Sequence, residues 1–172
     1  MRSIRESVSG ITSKMVEWFN ERTNAHISRV QEGLYKLADL YDWHELYDRA
    51  KDHDRSKFSS EEMDGYIWST EKYRCQRVGD EFECIDGAQE LMDTAWDNHQ
   101  KVNRHHPEYH ASLGDMENED IAEMVADWVA MGKELGNTAK EWADKMVGDR
   151  WKFSPEAVRL IYQFIDDLEG GE

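Results

Sequence analysis

Apolar side chains along this chain recur at the three- and four-residue spacing of amphipathic helices, and the alternation typical of strands is nearly absent. The clearest pattern runs from Asp120 to Leu135, where most apolar residues share one helical face. A second tract starts near Thr23 or Asn24, both of which are favourable N-cap residues. With only two prolines in the chain, the pattern predicts an all-α fold.

The same periodicity, together with turn and capping signals, predicts the element boundaries. The predicted helices cover residues 4–20, 24 to about 40, 44–51, 59–77, 87–103, 120–135, 138–147 and 155–168. Ser59 and Glu62 have the spacing of a capping box, and Pro107 favours a break after the fifth of these helices. Residues 78–84 predict a turn or a small hairpin. We expect one helical domain over residues 1–172, with a core at 24–134 and flanking helices at 4–20 and 138–168.

The charge balance narrows the functional classes. The chain carries 37 acidic and 21 basic residues, a formal net charge of -16. An acidic surface repels phosphate backbones and anionic headgroups, so we expect neither nucleic-acid groove binding nor membrane binding. No apolar run approaches the ~20 residues of a membrane span, and no signal peptide is evident. With only Cys75 and Cys84, we expect a reduced, cytoplasmic protein.

Histidines and one inward-facing aspartate suggest a metal site. Four of the seven histidines fall between positions 99 and 110, namely His99, His105, His106 and His110. His26 lies on the apolar face of its predicted helix, and Asp127 interrupts an otherwise apolar run. A buried carboxylate needs a charge partner or a metal, and imidazole with carboxylate suits divalent transition metals.

The order of these residues resembles the HD-domain superfamily of metal-dependent phosphohydrolases. His26 is followed by the adjacent pair His53-Asp54, then by His105-His106, and finally by Asp127. The run from His53 to Lys57 resembles the His-Asp-x-Gly-Lys signature of a subgroup that often holds two metals, with serine in place of glycine. Lys57 stands where some single-metal members have a catalytic glutamate, which argues against their mechanism.

The resemblance implies a set of site residues. The implied metal ligands are His26, His53, Asp54, His99, His105 and Asp127, for one or two ions of Mn, Fe, Co, Zn or Mg. Glu123, four residues before Asp127, would orient a ligating histidine. Asp54 and Lys57 would serve catalysis. Lys57, Lys101, Arg104 and His106 would contact the substrate, although Lys101 and Arg104 could instead offset local acidic charge.

More narrowly, the chain resembles an uncharacterised family found in bacteriophages and bacteria over about residues 24 to 134. The matching segments are His53–Ser59, His99–Tyr109 and Glu123–Trp128. If the protein is phage-encoded, we expect it in the host cytoplasm. The functional expectation is a phosphohydrolase that uses a metal-activated water to attack a small phosphorylated substrate, such as a nucleotide. An HD-type di-iron oxygenase would use the same ligands. A third alternative is a non-enzymatic acidic phage interaction or anti-defence protein, for example one that mimics the charge of DNA or blocks a host factor. A homodimer is the expected assembly.

Overall fold

A computed structural model describes residues 10–170 of the chain. Within this range the structure consists of helices, 3₁₀ turns and loops and contains no β-strand, so the predicted all-α fold is confirmed. The α-helices are α1 Ser13–Tyr41, α2 Glu45–Asp52, α3 Met63–Val78, α4 Ala88–Val102, α5 Asn118–Leu135, α6 Ala139–Met146 and α7 Pro155–Glu169. None of these helices has the length and apolar character that crossing a bilayer requires.

Helix α1 differs from its prediction, because the expected break at Thr23 or Asn24 does not occur. The side-chain amide of Asn24 donates a hydrogen bond to the backbone carbonyl of Asn20, within the continuous helix. A residue that suits an N-cap is therefore accommodated in a helix interior by bonding back one turn. Residues 4–9 of the predicted first helix lie outside the described residues.

The loop between α3 and α4 contains the predicted turn. Gly79 ends α3 in the left-handed conformation, with its N–H bonded to the carbonyl of Cys75. Residues 80–84 that follow lie in no strand, so this segment is a turn and loop instead of a hairpin.

The chain divides into two compact units, each assembled from separate stretches of sequence. The first unit comprises Met1–Asn24 and Arg55–Val102, of which residues 10–24 and 55–102 are described. The second unit comprises Ala25–Asp54 and Asn103–Glu172. The single domain expected over residues 1–172 stays a prediction.

In the first unit, α3 and α4 approach each other closely at Gly65. A Cβ at this position would lie 2.3 Å from the carbonyl oxygen of Leu91 and 2.5 Å from the Cβ of Ala95. Glycine therefore allows a helix contact that any side chain would push apart. The start of α3 and the 3₁₀ turn Arg55–Phe58 both lie against α4.

Helix α5 forms the centre of the second unit, where it packs against α2, α6 and α7. Its small residues Ala122, Ala126 and Ala130 recur every four positions and are buried. Opposite them on α1, a Cβ at Gly33 would lie 3.4 Å from the Cβ of Ala126. These small residues allow the backbones of α1 and α5 to approach each other closely. His26 on α1 and Asp127 on α5 lie on these two helices.

Candidate metal centre

The junction after α2 places two ligand-type side chains in the interior of the second unit. His53 is the residue at which α2 ends, and Asp54 follows with φ of 56°, in the left-handed region. That conformation costs a non-glycine residue about 1 kcal/mol, and aspartate tolerates it better than most. Both residues are buried. The reversal of the backbone at Asp54 directs two successive polar side chains inward, where they need partners.

Helices α1 and α5 supply those partners. His26 of α1 has its Nε2 atom 2.9 Å from Oδ1 of Asp127 on α5, and 3.4 Å from Oδ2 of Asp54. The Nε2 atom of His53 lies 3.6 Å from Oδ2 of Asp54 and 3.9 Å from Oδ1 of Asp127. Two imidazole nitrogens and two carboxylate oxygens thus converge from two helices and the junction after α2.

These separations fit the ligands of a single divalent ion. Nitrogen and oxygen ligands lie ~2.1 Å from a first-row metal, so neighbouring ligands lie roughly 3.0–3.4 Å apart. The observed range, 2.9 to 3.9 Å, brackets that value. In addition, the buried Nε2 of His53 has no hydrogen-bond partner among residues 10–170. A buried nitrogen without a partner is unfavourable, and a metal ion would satisfy it.

Glu123 determines which nitrogen of two histidines faces this cluster. Its Oε1 atom lies 2.9 Å from Nδ1 of His53 and 3.3 Å from Nδ1 of His105. A carboxylate accepts hydrogen bonds, so both Nδ1 atoms carry a proton, and in the neutral form of each ring the lone pair is on Nε2. Carboxylate–histidine pairs of this kind hold the ligating imidazoles of metal sites. Glu123 therefore contacts two histidines, and its predicted role of orienting a metal ligand stays a prediction.

The ionisation of the cluster follows from its charge pairs. Burial works against the charged form of Glu123, but His105 and His53 lower its pKa to about 2. Burial likewise works against protonated His26, but Asp127 and Asp54 raise its pKa to about 9. The pKa of Asp127 is lowered in turn, against the effect of burial, by His26 and by the histidines at 105 and 53. Glu123 and Asp127 are therefore ionised at neutral pH, whereas His26 is protonated and would have to lose that proton to bind a metal.

His105 lies on the other side of Asp54. Its Nε2 atom is 3.7 Å from Oδ1 of Asp54, and its ring centroid is 4.6 Å from that of His53. The half-buried ring of His106 lies next, with a centroid distance of 4.3 Å. Asp54 therefore has His26 and His53 near one oxygen and His105 near the other, an arrangement that suits one ion or two.

The remaining predicted site residues have other surroundings. His99, Lys57 and Lys101 belong to the first unit, in which Lys57 lies 5.0 Å from the ring centroid of Tyr66 and Lys101 is exposed. Arg104 is in the second unit, where its guanidinium pairs with Asp120 and Glu117. Roles in substrate or metal binding for these residues stay predictions.

Two buried acids of consequence were not identified from the sequence. The spacing of Ser59 and Glu62 predicts a capping box, but the Glu62 side chain is fully buried in the first unit and contacts His99. Asp120 is predicted at the start of a helix, and it is also the fully buried partner of Arg49 and Arg104. In the sequence, Glu62 and Asp120 look like ordinary acidic residues at helix starts. Only their partners, which are distant along the chain, show that both are buried and paired.

A buried cluster of imidazole and carboxylate groups on a helical scaffold could hold a metal ion. The chain belongs to a family of unknown function, DUF5662, whose model matches residues 15–167. No curated protein and no solved structure matches the chain. The family match therefore covers both units and assigns no chemistry to either.

Proposed function

We propose that this protein is an HD-type metal-dependent phosphohydrolase that acts on a small phosphorylated substrate of the nucleotide class. The observation that carries the proposal is the convergence of His26, His53, Asp54 and Asp127. Their order along the chain is the order of the HD signature, which supports the superfamily and the reaction class together.

The donor set is made of nitrogen and oxygen alone, which suits Mn, Fe, Co or Zn. Such an ion supplies Lewis acidity, which makes water more acidic and polarises a phosphoryl oxygen. His26, His53, Asp54 and Asp127 would hold the first ion. If a second ion binds, Asp54 has its other oxygen toward His105 and would serve both.

The residues of the chain divide the remaining work. His53 and Asp54 are almost inaccessible to solvent, whereas the Asp127 side chain is 18% exposed, so we infer that substrate approaches on the side of Asp127. Glu123 orients His53 and His105. For Lys57 and Lys101, a role in offsetting charge on the phosphoryl oxygens stays a prediction from the sequence.

The acidic surface favours a small substrate over a polynucleotide. A long nucleic acid meets the repulsion of many carboxylates at once. A mononucleotide meets mainly the local field, because surface charges are screened beyond ~8–10 Å at physiological salt. A net charge of -16 is therefore compatible with a phosphorylated substrate of limited size.

The test is metal content combined with hydrolysis, using Asp54→Asn and the exposed neighbour Asp52→Asn as a matched control. Asparagine tolerates the left-handed backbone at position 54, so the variant removes a ligand charge without new strain. We expect one or two equivalents of transition metal in the wild type by inductively coupled plasma mass spectrometry. Asp54→Asn should lose them, and Asp52→Asn should retain them.

Phosphate or pyrophosphate release is then measured on a nucleotide panel with added Mn, Co or Mg. The wild type and Asp52→Asn should hydrolyse at least one nucleotide, and Asp54→Asn should not. Absence of bound metal after incubation with Mn, Co, Fe or Zn would overturn the proposal. So would a metal-loaded protein that releases nothing from the panel.

An HD-type di-iron oxygenase is the second candidate, and the donor set is the observation that favours it. The imidazoles of His26, His53 and His105 and the carboxylates of Asp54 and Asp127 suit iron as well as manganese or zinc. Iron as the metal bound in the purified protein, with a mixed-valent pair in the Mössbauer spectrum, would favour the oxygenase over the hydrolase.

A further inference from the structure

The first unit contains its own buried carboxylate–imidazole pair. Oε2 of Glu62, just before α3, lies 2.9 Å from Nδ1 of His99 on α4. The Glu62 side chain is fully buried and that of His99 is 2% exposed. The close contact of α3 and α4 at Gly65 brings these two residues together.

Glu62 accepts hydrogen bonds on both oxygens. The amide of Asn98 donates to Oε1 at 2.7 Å, and the hydroxyl of Ser56 donates to Oε2 at 2.9 Å. A carboxylate removed from water costs several kcal/mol unless such donors compensate it. The surroundings of Glu62 are therefore arranged to keep a negative charge beside His99.

This charge determines where His99 carries its proton. A carboxylate has only lone pairs to offer, so a contact of 2.9 Å requires a proton on Nδ1. The hydroxyl of Ser56, which donates its own proton to Glu62, lies 3.2 Å from the same Nδ1 and can only accept there. Neutral His99 thus carries its lone pair on Nε2.

The same arrangement occurs in the second unit, where Glu123 contacts Nδ1 of His53 and of His105. In both units a buried glutamate meets the Nδ1 atom of a histidine that the sequence predicts as a metal ligand. A backbone carbonyl or a water would also satisfy an Nδ1–H group, whereas a carboxylate is the partner that commonly orients the ligating imidazoles of metal sites. Two independent instances favour a shared purpose.

We propose that Glu62 is a positioning residue that presents Nε2 of His99 as a ligand for a divalent metal ion. The inference rests on the proposed function, because it takes a metal as the ligand of His99. It assigns to Glu62, within the first unit, the task that we propose for Glu123 in the second unit.

The experiment reads the histidine tautomers directly. Long-range ¹H–¹⁵N spectra of the metal-free protein separate Nδ1-protonated from Nε2-protonated rings, with His99→Gln and His53→Gln used for assignment. We expect His99 in the Nδ1-protonated form in the wild type. In Glu62→Gln the amide NH₂ conflicts with the donors around it, so the Nε2-protonated form should appear. The exposed neighbour Glu61→Gln should leave His99 unchanged.

Zn²⁺ titration supplies the second readout. The Nε2 resonance of His99 should shift on Zn²⁺ binding, and Glu62→Gln should weaken that response 10–100-fold, the usual effect of losing such a partner. An Nε2-protonated His99 in the wild type would overturn the inference even if Glu62→Gln failed to fold. A response to Zn²⁺ at His53 without one at His99 would overturn the inference alone. No response at either histidine would overturn the proposed function as well.

Discussion

His26 on α1 lies 2.9 Å from Asp127 on α5, nitrogen to carboxylate oxygen, in the interior of the second unit. The contact joins two helices that are distant in sequence and adjacent in space. It depends on the close approach of their backbones at Gly33 and Ala126. The ligand cluster is therefore sensitive to packing as well as to the identity of its polar residues.

Enlarging Gly33 should separate the cluster. Gly33→Ala places a Cβ at 3.4 Å from that of Ala126, and the strain should roughly offset the ~1 kcal/mol gain in helix propensity. Gly33→Leu should lower the free energy of unfolding by 1–3 kcal/mol, a typical cost of overpacking. It should also weaken metal binding, because α1 carries His26. Urea unfolding and metal titration of both variants test this. If Gly33→Leu bound metal as tightly as the wild type, the link between helix packing and the site would be refuted.

Removing the charge of Glu123 should weaken metal binding while the fold is retained. Glu123→Gln leaves the Nδ1 protons of His53 and His105 without a charged acceptor, so neither ring is held with Nε2 inward. We expect metal affinity to fall 10–100-fold. Calorimetric titration with Zn²⁺ or Mn²⁺ measures this. Glu119→Gln, on the same helix, is the matched control and should bind as the wild type does.

Asp120 should be a major source of stability for the second unit. Its fully buried carboxylate pairs with Arg49 and Arg104, and removing one member of a buried pair typically costs 3–5 kcal/mol. Because Arg104 is half exposed, we expect Asp120→Ala to cost about 3 kcal/mol in urea unfolding. Asp149→Ala, an exposed substitution in the same unit, should cost less than about 0.5 kcal/mol.

The contribution of Asp120 should also depend on pH. Burial opposes its charged form, but hydrogen bonds from Arg104 and Arg49 lower its pKa below the usual value. A lowered folded pKa stabilises the protein above the unfolded pKa of about 4, and the stabilisation is lost as the pH falls through the folded value. The stability gap between wild type and Asp120→Asn should therefore shrink in acid. A gap that is constant down to pH 2 would contradict this.

Tyr41 should ionise late and stabilise the contact of α1 with α7. Its hydroxyl donates to Oδ2 of Asp167 at 2.6 Å, and burial together with this bond raises the pKa of Tyr41 to about 12. A raised folded pKa stabilises the fold below about pH 10, and the effect is lost as the pH approaches 12. Tyr41→Phe should cost about 1 kcal/mol at neutral pH.

Absorbance at 295 nm follows tyrosine ionisation in this experiment. Tyr41→Phe should remove a titration step near pH 12. If the step that Tyr41→Phe removes lies instead near the ordinary tyrosine value of about 10, the bond to Asp167 has no influence on Tyr41.

The helices themselves were largely predictable, because their signals are local. The predicted helix 155–168 is Pro155–Glu169, with Ser154 accepting a hydrogen bond from the N–H of Ala157. The predicted helix 138–147 is Ala139–Met146, which begins with the capping box of Thr138 and Glu141. Both signals lie within four residues of the helix start. The break predicted in α1 was wrong, since Asn24 satisfies a carbonyl within the helix.

The sequence by itself determined the helical class, most helix boundaries and the adjacent pair His53-Asp54. It also indicated Glu123 as an orienting residue. These features depend on residues a few positions apart, whose periodicity can be read along the chain. Only the tertiary structure decided that His26, His53 and His105 surround Asp54, and that His99 has Glu62 as its partner. Those contacts depend on how closely helices pack, at Gly33 and Gly65, and no local pattern records the distance between two helices.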